Sequence, residues 1–142
     1  MAGNVVLGYD GSEGSKEALR VAVRVAHAFG APLSIVFGYE PTPVGGESAD
    51  HRKAVHAIGE KAVEDAVALA AAQDPTVELE QLVVPIRPVD SLLEAAAERE
   101  ARVIVVGASG ERPLVGAILG AVPHKLLYLS KVPVLVVPAP EA

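Results

Sequence analysis

The 142-residue sequence has no cysteine and no tryptophan. Without thiols there is no disulfide framework, no thiolate metal site and no cysteine nucleophile, and nothing in the composition points to an oxidising compartment. Clustered Lys and Arg are also lacking: 12 basic against 18 acidic residues leave a formal net charge of −6. DNA and RNA are thereby excluded as main partners, because phosphate neutralisation supplies most non-specific nucleic-acid affinity. A mononucleotide stays open, since backbone amides hold phosphates without a basic surface. No apolar run reaches the roughly 18 residues of a membrane span, and Met1 to Asn4 lack the basic start of a signal peptide. The expectation is a soluble, cytoplasmic protein with no membrane segment. His27, His51, His56 and His124 never fall at HxxxH or HxH spacing, so no metal site of protein ligands alone is expected. No GxxxxGK[ST] run marks a Walker-type ATPase, and no GxSxG elbow surrounds Ser12, Ser15, Ser109 or Ser130.

What is present is aliphatic: 51% of residues are hydrophobic and 21% charged, a balance that folds, at a length that suits a single domain over 1–142. Short β-branched runs alternate with helical periodicity, the mark of an α/β fold with a parallel sheet. Asn4 to Tyr9 reads as a first strand, apolar on both faces, ending at Asp10-Gly11-Ser12. A helix with Ala18, Leu19, Ala22, Val25, Ala26 and Phe29 inward closes at Gly30. Leu33 to Tyr39 is a second strand, followed by an extended loop through Pro41, Pro43, Gly45 and Gly46. A long helix from about Asp50 to Gln73 carries Val55, Ile58, Ala62, Ala66, Leu69 and Ala70, and stops before Pro75. Val77 to Val84 alternates and reads as a half-exposed edge strand, closed by Pro85 and Pro88. Val89 to Arg99 is a third helix with Leu92, Leu93 and Ala96 inward. Arg102 to Val106 is the most strand-like run and should be central, a fourth helix starts near Gly120, and Val132 to Val137 is the last strand, with Pro133 at its beginning or on an exposed edge.

The informative segment is Gly107-Ala108-Ser109-Gly110, nine residues, then Gly120-Ala121, between a buried parallel strand and a helix. In open α/β sheets ligands collect outside the carboxyl ends of the strands, and the next helix offers unpaired N–H groups to an anion. Glycine spacing alone is equally compatible with a plain βα turn. His124 and Lys125 lie in the first turn of the fourth helix, where they would approach a terminal phosphate although cations there oppose the helix dipole. Asp10 reads either as a ligand contact or as part of the capping cluster with Ser12 and Ser15.

From about Asn4 to Pro138 the chain resembles the universal stress protein family. Gly107, Gly110 and Gly120 fall on the glycines of its ATP-binding pattern, Val5 to Ser12 is similar to its first strand and aspartate, and Val132 to Val137 to its last strand. The resemblance implies an open five-stranded parallel sheet of order 3-2-1-4-5, helices on both faces, and a regulatory dimer with at most slow ATP hydrolysis. It implies a site of Tyr9, Asp10, Gly38, Val106, Gly107, Gly110, Gly120, Ala121 and Val122, with Asp10 at the ribose or the adenine edge, backbone near Gly38 at adenine and Val106 lining the base. Ala121 departs from the pattern, for ATP binders usually carry a phosphate-touching hydroxyl there; its loss should weaken binding by about tenfold to a hundredfold.

The expected ligand is therefore ATP, with or without Mg²⁺, and the alternatives are AMP or cyclic AMP. A nucleotide-independent interaction protein, recruiting partners through its dimer surface and the Gly45-Gly46 loop, is the rival from another class. An apolar last strand at an exposed edge would be an aggregation hazard, so a homodimer through 132–137 is expected on physical grounds too.

Overall fold

The computed structural model describes residues 3–41, 48–108 and 119–140. Five strands and four helices alternate: β1 Val5–Gly8, α1 Glu13–Phe29, β2 Leu33–Gly38, α2 Ser48–Gln73, β3 Leu79–Val84, α3 Pro88–Glu98, β4 Val103–Gly107, α4 Ala121–Leu129 and β5 Val134–Val137. The strands form one sheet in the order β3-β2-β1-β4-β5, every pair parallel, as the resemblance implies. The middle strand is β1; β4 is interior, between β1 and β5. Val5 lies beside Leu33 and Val103, and Val6 beside Ser34 and Ile104.

Strand residues alternate between two cores. Val5, Leu7, Ile35 and Val105 pack under α1 and α2, while Val6, Val36, Ile104 and Val106 pack under α3 and α4. Both faces are covered, so the interior strands are nearly continuous apolar runs. Right-handed crossovers explain the division. The chain steps outward from β1 through β2 to β3, then α3 carries it back past β1 to β4, and a reversed direction requires the opposite face.

Local chemistry sets the helix ends. The Ser12 hydroxyl accepts from the Ser15 N–H at 3.1 Å and caps α1, whose end is fixed by Gly30 in the left-handed conformation at φ 62°. Phe29, expected inward, is exposed, with the Arg102 guanidinium 5.3 Å above its ring centre. In α2 the buried positions are Gly59, Val63, Ala66 and Ala70; Ala66 and Ala70 lie inward as expected, whereas Ile58 and Leu69 are 63% and 47% exposed. The cause is Gly59, where a Cβ would sit 2.7 Å from the Phe37 ring and 2.8 Å from Val83, so α2 lies on β2 and β3 at its glycine. Apolar periodicity does not register a glycine as an inward residue. Leu93 of α3 is half-buried, and its neighbour Ala95 takes the inward place. Both edges are as expected: β3 is half-buried along its length, and Pro133 sits just before β5, its carbonyl accepting from Ile104.

At the amino end of the strands a polar chain crosses the sheet. The Asn4 side-chain amide donates to Ser34 Oγ at 2.9 Å, and Ser34 Oγ donates to Glu80 Oε1 at 2.7 Å. Arg99 grips both Glu80 oxygens, through Nε at 2.6 Å and Nη2 at 2.9 Å. These hydrogen bonds, from Arg99 first and then Ser34, hold the Glu80 carboxyl below its ordinary value despite partial burial. A carboxyl depressed in the folded state adds stability that is complete at neutral pH and disappears as the pH falls through its folded value. Glu80→Gln should therefore lower the urea midpoint at pH 7, and the difference from wild type should begin to shrink below roughly pH 4, the ordinary glutamate range, and become small only once the pH has fallen past the depressed folded value. An equal difference at both pH values would show that the charge of Glu80 adds nothing.

Candidate functional site

A cavity of about 290 Å³ opens at the carboxyl ends of β1, β2 and β4. Because α1 leaves β1 on one face and α4 follows β4 on the other, the connections diverge here and leave a crevice between them. A wider concavity of about 1110 Å³ lies at the amino ends, around Asn4, Glu80 and Arg99, where the side chains already satisfy one another.

The cavity is built strand by strand. At the end of β1, Gly8 forms part of the floor: a Cβ would approach Leu92 at 3.0 Å and Val106 at 3.1 Å. Tyr9 borders the cavity, but its ring belongs to the core under α1 and α2. Burial first, then the nearby carboxylates of Asp65, Asp10 and Glu13, pushes its phenol up, so it stays neutral. Asp10 is exposed on the rim, and its Oδ1 accepts from the Ser12 N–H at 2.9 Å. Ser12 is the cap of α1, Asp10 braces the turn that presents it, and Gly11 supplies the positive φ of 85°.

At the end of β2, Gly38 lines the cavity. A Cβ there would collide with Ser91 Oγ and come within 2.7 Å of the Ile86 carbonyl oxygen, so glycine is required by the approach of α3. At the end of β4, Val106 supplies an apolar wall and Gly107 the rim. The ends of the following loop are pinned, Ala108 N–H to the Val137 carbonyl at 2.8 Å and Gly120 N–H to the Ala108 carbonyl at 2.8 Å. Gly110 lies outside the described residues, as do Ser109, Gly45 and Gly46.

Gly120 is the extended N-cap of α4, with φ −63° and ψ 165°. Ala121 and Val122 follow on the cavity wall, and the first intrahelical bond runs from His124 N–H to the Gly120 carbonyl at 3.1 Å. The amides of Ala121 and Val122 precede that bond, and Pro123 in the next position has no N–H. The positive end of the helix dipole therefore meets the cavity through two amides. His124 and Lys125 do not join it. Both are exposed, and the His124 ring packs edge-on against Tyr128 with centroids 5.3 Å apart. Neither residue is among the described lining of the cavity.

Eight of the nine residues singled out in the sequence thus line one cavity, the ninth being Gly110. Sequence reading missed Pro88, Ser91 and Leu92, which α3 brings over the end of β2. No local motif marks them; their place follows only from the return of the chain across the sheet.

Comparison with known proteins agrees with this fold. The profile of the Universal stress protein family matches residues 1–138. A universal stress protein of Thermus aquaticus is 34% identical over 138 residues, covering 94% of this chain and 96% of its own. Among solved structures, a universal stress protein in complex with cAMP is similar at a TM-score of 0.69 and 32% identity, over 98% of both chains. A universal stress protein from Archaeoglobus fulgidus in complex with dAMP shares the fold at a TM-score of 0.70 and 22% identity, over 96% of this chain and 97% of that one. With the sheet order, the covered faces and the family profile in agreement, the chain belongs to the universal stress protein family.

Proposed function

We propose that this cavity binds an adenine nucleotide, and that the chain, as one cytoplasmic domain, is a stress-response regulator for which the nucleotide is signal or stabiliser rather than a rapidly consumed substrate. The observation that carries the reading is the convergence of Asp10, Gly38, Val106 and the first turn of α4 on one crevice at the reversal point of the sheet. The relative in complex with cAMP supports it at 32% identity. In this reading the phosphate faces Ala121 and Val122, the ribose faces Asp10, and the base lies toward Gly38 against Val106.

ATP is the ligand that the family resemblance suggests, but the lining favours a nucleotide with less phosphate charge. Among the described residues lining the cavity, Asp10 has the one formal charge, and it is negative. Ala121 offers no hydroxyl and Pro123 no amide, so among the described residues of α4's first turn the N–H groups of Ala121 and Val122 are what is left to meet a phosphate. A cyclic phosphodiester or a monophosphate is matched by that supply better than a triphosphate, whose further charge would need Mg²⁺ or cations from elsewhere.

The same reading includes a homodimer. β5 is an edge strand, Leu135 on it is 37% exposed, and Leu127, Tyr128 and Leu129 of α4 are 56%, 77% and 55% exposed. Pairing with a second copy would cover strand and patch together.

Three outcomes are expected. In calorimetric titration of nucleotide-stripped protein, AMP or cyclic AMP should bind saturably and at least about tenfold more tightly than ATP with Mg²⁺; no heat from any of them, with an unshifted Tm, would leave the nucleotide-independent interaction protein instead. Ala121→Ser should tighten ATP by about tenfold to a hundredfold by restoring a charge-assisted hydrogen bond, and an unchanged affinity would place the phosphates away from α4. In sedimentation velocity the wild type should run as a dimer and Leu135→Glu as a folded monomer, whereas a dimeric variant would move the interface off β5.

A further inference from the structure

Ser91 is a hydroxyl in an apolar setting that nothing above has used. It lies in the first turn of α3, is only 3% exposed, and lines the cavity with Val36 and Leu92. Its hydroxyl donates to the Pro88 carbonyl at 2.7 Å, which commits its one proton. A hydroxyl so engaged still has lone pairs to offer, so the group can act toward a ligand only as an acceptor. Gly38 makes the arrangement possible, because any side chain at that position would collide with Ser91 Oγ. The hydroxyl therefore occupies the space above the end of β2 that a Cβ of Gly38 would take.

The sheet order decides what meets it. The ends of β2, β1 and β4 stand side by side, and at the usual strand spacing β2 and β4 are roughly 10 Å apart. That distance is comparable to the reach of a nucleotide from phosphate to base. With the phosphate at α4 beyond β4 and the ribose at Asp10 over β1, the base lies over β2, beside Gly38 and Ser91.

We propose that Ser91 selects the base, accepting a hydrogen bond from the 6-amino group of adenine and rejecting a 6-oxo purine; the proposal rests on the nucleotide reading above. A 6-oxo group would bring its own lone pairs against the Ser91 oxygen. To donate to it, the hydroxyl would have to give up its 2.7 Å bond to the Pro88 carbonyl. Polar sites discriminate by leaving such groups unmatched, whereas the apolar walls of Val36, Leu92 and Val106 accept either purine.

The test compares AMP with IMP, and ATP with ITP, which differ at position 6 and in the proton that the 6-oxo ring carries at N1, by calorimetry on wild type and Ser91→Ala. Wild type should prefer each amino member by about tenfold or more, and the variant should lose most of that preference through weaker AMP and stronger IMP binding. Ser91→Ala retains the Cβ beside Gly38, and its Tm reports whether the fold is intact. Purine riboside monophosphate on the wild type provides a second readout that needs no variant: lacking any 6-substituent, it should bind between AMP and IMP. Equal wild-type affinity for AMP and IMP, or a preference unchanged by Ser91→Ala, would overturn the role of Ser91 while leaving nucleotide binding in place. If no nucleotide binds the wild type at all, the binding reading falls and base selection falls with it.

Discussion

The structure depends on one reversal. After β3 the chain has built outward from β1 in one direction, and α3 must return it across the sheet to begin β4 on the other side of β1. Right-handed crossover geometry then places α1 and α2 on one face and α3 and α4 on the other. The crevice between β1 and β4, the packing of Ser91 over β2 and the entry of α4 into the cavity all follow from that return.

The two ends of the sheet use polar chemistry differently. At the amino end Asn4, Ser34, Glu80 and Arg99 satisfy one another, so the wide concavity there is bordered by groups with their hydrogen bonds already made. At the carboxyl end the floor is apolar, the first turn of α4 lines the wall with Ala121 and Val122, and among the described residues one carboxylate stands on the rim. A small cavity with an apolar floor and few directed polar groups is what ligand binding favours, and the difference in chemistry outweighs the difference in volume.

Ala121 carries no hydroxyl and Pro123 no amide N–H, while Gly38 and Ser91 form a matched pair at the other end of the same cavity. In the proposed mode the described residues offer few donors at the phosphate end, and the base end is specific. Recognition by such a site would rest more on the purine than on the phosphates.

By itself the sequence determined the element order and both edge strands, because those features are written in local periodicity, proline positions and turn residues. Gly30, Pro75 and Pro133 each mark an element boundary within a residue or two. It also determined the family, whose strand-end aspartate and spaced glycines are short contiguous patterns. Tertiary structure alone decided which stripe of α2 faces inward, since close approach at Gly59 outweighed the hydrophobicity of Ile58 and Leu69. It alone turned His124 outward onto Tyr128 and brought Ser91 to Gly38 across 53 residues. Those outcomes depend on how closely one backbone can approach another. Local pattern cannot express that distance, because it is set only when the whole sheet and its helices are packed.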